Sequence, residues 1–159
     1  MGADSERNRL DALQERLQVL EDKDALRALL VRGWRALDHK DWDTWSACWA
    51  EDAELAFGPW KAHRGRRTIR DTVIAAEAPY GAITHHLLNT HFEVRGDRAT
   101  GVGHLWFVGV PNADEPGEHY DFGGRYEWEF VRSSAGWRLT RQRLGVTWSS
   151  GHDTVGAFR

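Results

Sequence analysis

The sequence predicts an α+β fold, with helices packed on one face of a curved, largely antiparallel sheet. Three observations point there. Apolar residues recur at helical spacing early in the chain and alternate at strand spacing later. A Gly-Asp turn also joins two of the strand segments. Helices followed by a run of strands is the α+β order rather than the βαβ order of a parallel sheet. The 159 residues, 41% of them hydrophobic and 28% charged, are enough for one core and a pocket and too apolar for a disordered chain.

Each element has its own signal. Leu10, Leu13, Leu17 and Leu20 step by three and four, which predicts an N-terminal helical extension over residues 1–20. The main domain is expected over 21–148. Asp22 and Asp24 precede a second periodic run, Ala25, Leu29, Leu30, Trp34 and Leu37, so a new helix should start near Asp24 with that residue as its N-cap. Asp41-Trp-Asp43 breaks the pattern, and a short helix follows at 44–49. Glu54-Leu-Ala-Phe57 reads as a strand turned by Gly58-Pro59. A helix over 68–76 follows Gly65, and Pro79 and Gly81 end it. Long strands are expected at 84–94, 99–110, 119–131 and 137–148, with Gly96-Asp97 making the first hairpin. Residues 149–159 form a Gly- and Ser-rich tail, either loose or covering an opening.

Composition narrows the function. A net charge of -3 does not favour a nucleic-acid partner, and the run Lys61-Ala-His-Arg-Gly-Arg-Arg67 reads as a solvated loop. The single cysteine, Cys48, excludes an intrachain disulfide and suits a small buried apolar role. The charged N-terminus lacks a signal-peptide core, and no stretch approaches the ~20 apolar residues of a membrane span. A cytoplasmic protein is expected. Nine tryptophans suggest a broad apolar surface that receives a ring system, with packing taking at least half of them. The histidines and carboxylates show no distinctive metal-ligand spacing. Gly123-Gly124 reads as a bend rather than a phosphate loop. No cofactor and no metal is expected.

Four segments carry a family resemblance: Leu37-Asp-His-Lys-Asp-Trp-Asp43, Thr84-His-His-Leu-Leu-Asn89, Gly96-Asp-Arg-Ala-Thr100, and Gly124-Arg-Tyr126 followed by Gly136-Trp-Arg-Leu139. With their order and spacing, the chain resembles the SnoaL-like branch of the nuclear transport factor 2-like superfamily. The resemblance implies a cone-shaped, cystatin-like α+β barrel, its bent sheet wrapping a long helix around an apolar pocket. Its enzymes include scytalone dehydratase, bile acid 7α-dehydratase, hexachlorocyclohexane dehydrochlorinase, limonene epoxide hydrolase, ketosteroid isomerase and polyketide cyclases. Many other members bind ligands or have no known activity, so the fold alone does not give the function.

The resemblance is closest to the dehydratases and the dehydrochlorinase, which use a His–Asp dyad. Asp38 matches the dyad Asp near the end of the long helix. His85 matches the dyad His, four residues before Asn89. Asp38 would hold His85 in one tautomer and the free ring nitrogen would take a proton. His86, its neighbour on a strand, would point the other way. Two positions depart from active relatives. Gly33 stands where they often carry Tyr or Lys. Gln142 stands where they often carry Arg, and alternation turns Arg141 and Arg143 to the opposite face.

Around the dyad, Trp34, Tyr80, Asn89, His104, Trp106, Phe107, Tyr126 and Gln142 are the candidate substrate contacts. Trp34 lies one turn before Asp38 on the same helix face. Tyr126 could donate to a substrate oxygen. The leading expectation is a cofactor-free lyase of the dehydratase type, acting on a hydrophobic cyclic small molecule such as a polyketide, steroid or terpenoid. An isomerase or cyclase working through an enolate begins with the same proton abstraction and stays open. So does a non-catalytic binding protein, which Gly33 and Gln142 favour. The expected partners are the small molecule and further copies of this chain, as a homodimer or homotrimer through the outer face of the sheet.

Overall fold

The computed structural model describes residues 2–58, 61–156 and 158. Helix α1 runs unbroken over Gly2–Asp38. Leu26, Leu29, Leu30, Trp34 and Leu37 form its buried stripe. The helix start expected at Asp24 does not occur. Asp22 sits one turn before Leu26, in register with the stripe, and is itself buried. Its carboxylate accepts from Arg132 at 2.7 Å and from the Trp137 indole at 3.2 Å. A carboxylate satisfied by the sheet leaves the helix free to run on. Residues 4–21 are exposed throughout.

Lys40, at φ +57, turns the chain out of α1. Helix α2 (Trp42–Ser46) is capped by Asp41, which accepts from the Thr44 backbone at 3.1 Å. It is shorter than expected, because Trp49 already opens β1 (Trp49–Phe57). Cys48 lies buried between the two. Within the supposed solvated loop, β2 (His63–Arg64) pairs with β1. Gly58 has a φ of +40, as a turn there requires. Its expected partner Pro59 lies outside the described residues.

Helix α3 (Arg66–Glu77) leads to four long strands, β3 (Ala82–Arg95), β4 (Arg98–Val110), β5 (Tyr120–Ser133) and β6 (Gly136–Gly151). The sheet order is β2-β1-β6-β5-β4-β3. All neighbours are antiparallel except β1 and β6, which run parallel. Register shifts between Leu88 and His91 and between Gly123 and Gly124 curve the sheet. Gly124 is required at the second: a Cβ there would lie 1.9 Å from the Gly145 carbonyl oxygen. The concave face turns Leu105, Phe107, Phe122, Tyr126, Trp128 and Leu144 into one core with α1. The tail is ordered past the expected strand end, with β6 continuing to Gly151.

Candidate active site

Asp38 is the last residue of α1, and His85 lies near the start of β3. The helix end and the strand start meet. Asp38 Oδ1 accepts from the His85 backbone N–H at 2.9 Å and lies 2.8 Å from ring Nδ1. A carboxylate only accepts, so Nδ1 carries a proton and Nε2 is the ring's working atom. The ring packs edge-on against Phe107, with centroids 5.1 Å apart, and its side chain is 4% exposed.

Nε2 does not face open space. It lies 3.4 Å from Oε1 of Glu77, the last residue of α3. The free nitrogen expected from the sequence is therefore flanked by a second buried carboxylate. Lys40 fixes that helix end by donating to the Ala78 carbonyl at 3.1 Å and to the Tyr80 carbonyl at 2.6 Å. Burial opposes a charged His85. The charge of Glu77, the ring's hydrogen bonds to Asp38 and Glu77, and the charge of Asp38 outweigh it and push the ring up to about 9. The shift favours the imidazolium form of the ring between Asp38 and Glu77.

The group borders a cavity of about 30 Å³ whose walls include Trp34, Glu77, His85, Tyr126, Gln142 and Phe158. That is room for about one water. The Trp34 indole donates to the Tyr126 hydroxyl at 3.3 Å. Burial, opposed by that bond and aided by the charge of Glu77, raises Tyr126 and keeps its proton on. Gln142 Oε1 accepts from the Trp128 indole at 2.9 Å. Gly33 is buried against Cys48, whose sulfur would lie 3.1 Å from an added Cβ. The larger polar residue of active relatives would press on that sulfur. Arg141 and Arg143 face out as alternation predicts, and Arg141 pairs with Glu54 and Glu129.

Other expected contacts sit elsewhere. His104 and Trp106 are exposed, because Leu105 and Phe107 take the inward positions of β4. His86 lies outside too, its ring against Trp106. Asn89 is exposed with φ +53, in the β3 irregularity, and does not reach the cavity. Tyr80 and Phe107 are buried beside the cavity rather than on its wall, in edge contact at 5.9 Å. The Tyr80 hydroxyl donates to Asp153 of the tail at 3.2 Å. Asp153 also accepts from the backbone of Gly156 and Phe158, and this seats the Phe158 ring among Phe57, Phe107, Tyr120 and Phe122. Among the described residues no group of three His, Cys, Asp or Glu is arranged to hold a metal ion.

Residues 18–143 match the SnoaL-like domain. The chain belongs to the SnoaL-like family. No curated protein matches it. Among solved structures, this SnoaL-like protein is similar to a Novosphingobium aromaticivorans protein provisionally named an aromatic ring hydroxylase. The two share 26% identity over 88% of this chain and 98% of that one, with a TM-score of 0.77. An NTF2-like protein with a cystatin-like fold from the same organism is 28% identical over 94% of both chains, with a TM-score of 0.72. A hexachlorocyclohexane dehydrochlorinase shares the fold at 20% identity, over 91% of this chain and 93% of that one, with a TM-score of 0.68. The cystatin-like α+β architecture read from the sequence is the one observed.

Proposed function

We propose that this SnoaL-like protein is a cofactor-independent lyase of the dehydratase type, acting on a hydrophobic cyclic small molecule. The Asp38–His85 pair is its proton-transfer centre. The observation that carries this reading is the fixed, buried imidazole on the wall of a mostly apolar cavity, with Nδ1 tied to Asp38 and Nε2 beside Glu77, which lines the same cavity. Such a ring gives its Nε2 proton to a departing hydroxyl, which leaves as water. Tyr126, with Trp34 donating to its oxygen, keeps a proton to place on a substrate carbonyl. The kinship to a dehydrochlorinase, itself an elimination enzyme by name, supports the reaction class.

A ring is far larger than the present cavity. The substrate takes the place held by Phe158, whose ring is part of the cavity wall and is carried on the tail. The outer face of the sheet bears Leu88, Val102, Trp106 and Trp148, each about two-fifths exposed, with the two indoles in contact at 6.4 Å. A second copy of this chain is the proposed partner of that face.

The test is a screen of β-hydroxy cyclic ketones, read by absorbance of the conjugated enone that dehydration forms. His85→Ala and Asp38→Asn should each lower turnover by about 10²–10⁴-fold while thermal melting still shows a folded chain. Full activity in His85→Ala overturns the mechanism. Binding of the ketone with no product in the wild type makes the protein a carrier.

A further inference from the structure

Glu77 is only 6% exposed, and its Oε2 has no hydrogen-bond partner among the described residues. A buried carboxylate oxygen left unpaired costs stability, and such groups are usually satisfied in native proteins. This one is kept at the end of α3, pinned by Lys40, on the wall of the cavity that holds His85. Its other oxygen reaches Nε2 at 3.4 Å, a long separation for an N–H···O bond, which leaves room for a substrate oxygen to compete for the donor.

We propose that Glu77 is a catalytic residue of the reaction proposed above: its carboxylate is the general base that removes the carbon-bound proton, while His85 is the acid. The reading rests on that reaction and divides its labour. In the step, Oε2 takes a proton from the carbon next to the substrate carbonyl. The freed electron pair rests first on the carbonyl oxygen as an enolate, and it forms the new C=C bond when the carbonyl re-forms and the β C–O bond breaks. The leaving oxygen takes the Nε2 proton and departs as water. Glu77 then carries a proton and His85 is neutral. Transfer from Glu77 to Nε2 restores both, so one turnover removes water from the substrate and leaves the protein unchanged. The reset needs no solvent, which suits a closed cavity.

3-Hydroxycyclohexanone in D2O separates the two roles, because deuterium uptake at the carbon between the two oxygen-bearing positions reports the base alone and cyclohexenone reports base and acid together. Glu77→Gln is nearly the same size, and its fold is checked by melting; Glu77→Asp is a second variant that keeps the charge. Glu77→Gln should lose both signals by about 10²–10⁴-fold, and Glu77→Asp should lose less. His85→Asn should lose elimination while deuterium uptake falls much less. If Glu77→Gln keeps uptake and His85→Asn loses it, His85 is the base and the proposal is overturned while the lyase reading stands. If the wild type gives neither signal, the lyase reading falls and Glu77's role with it. A substrate-free check uses ¹⁵N-histidine NMR. At pH 7 both His85 nitrogens should carry protons in the wild type, and a bare Nε2 there overturns the assignment.

Discussion

His85 sets the pH behaviour of this protein. Asp38 faces it from α1, Glu77 from α3, and Tyr126 from β5 shares its cavity wall. Its folded value of about 9 lies above the ordinary 6.5, so folding and protonation favour each other. The stabilisation is full below about pH 6.5 and is lost as pH climbs through 9, with an upper bound of about 3 kcal/mol. Urea midpoints should therefore fall between pH 6.5 and 9 in the wild type and stay flatter in Glu77→Gln. An equal fall in both would show that another group is responsible. The Asp38–His85 contact was legible, because both residues sit in recognisable frames. Glu77 was not, although a signal existed: Ile69, Val73 and Glu77 fall at i, i+4, i+8, so an acid occupies the buried stripe of α3. Trp106 and Phe107 are consecutive strand residues, and only one of them could ever have faced the pocket. Alternation puts His104 and Trp106 on one face and Leu105 and Phe107 on the other, and only the packing against α1 shows that the second pair faces in.

At the level of elements, the site is a meeting of ends. The last residue of α1, the last residue of α3 and the start of β3 converge, and Lys40 ties the two helix ends together. Lys40→Met removes both carbonyl contacts. It should release the end of α3, draw the His85 titration down toward 6.5 and cost about 1–2 kcal/mol, read by histidine NMR and urea melting. An unchanged titration would mean that α3 is held by packing alone. The other anchor is Asp22, which binds α1 to β5 and β6 through Arg132 and Trp137. Asp22→Ala strands the indole N–H and takes one of two carboxylate partners, Asp97 being the other, from a guanidinium that is itself about one-third exposed. The expected cost is about 2–3 kcal/mol, less than for a fully buried pair. No loss on urea melting would show the pair to be idle. This anchor explains the misplaced helix start, because Asp before an apolar run has the look of an N-cap, and only the sheet reveals a buried partner 110 residues away. The four long strands were read within a few residues, since their alternation follows from the pleat; β1 was expected only from Glu54 although it opens at Trp49, and the two-residue β2 was missed because so short a pairing leaves no periodicity.

Two features belong to the whole molecule, and each rests on apolar surface. The outer sheet face should hold a second copy, so light scattering should give a multiple of the chain mass and Trp106→Glu should reduce it to one. A monomer in the wild type would leave that face without its proposed partner. Inside, the wall of the small cavity includes a residue from the far end of the chain. Phe158 packs its ring against Phe122 at 4.8 Å and Phe107 at 5.3 Å, and Asp153 holds its backbone in place. A cyclic ligand must first displace that ring, and leaving a Phe side chain unburied costs roughly 1.5–3 kcal/mol. Phe158→Ala removes the obligation, because the space is open before the ligand arrives. Affinity for a neutral ring probe such as 2-tetralone should rise about 10–100-fold, the same free energy expressed as binding. Quenching of tryptophan fluorescence should report it, since Trp34 and Trp45 border the same cavity. The gain should vanish if Tyr126, which lines the same cavity, is replaced by the larger Trp. An affinity unchanged by Phe158→Ala would mean that rings bind elsewhere, and the Asp38–His85–Glu77 group would then need a substrate small enough to fit beside Phe158.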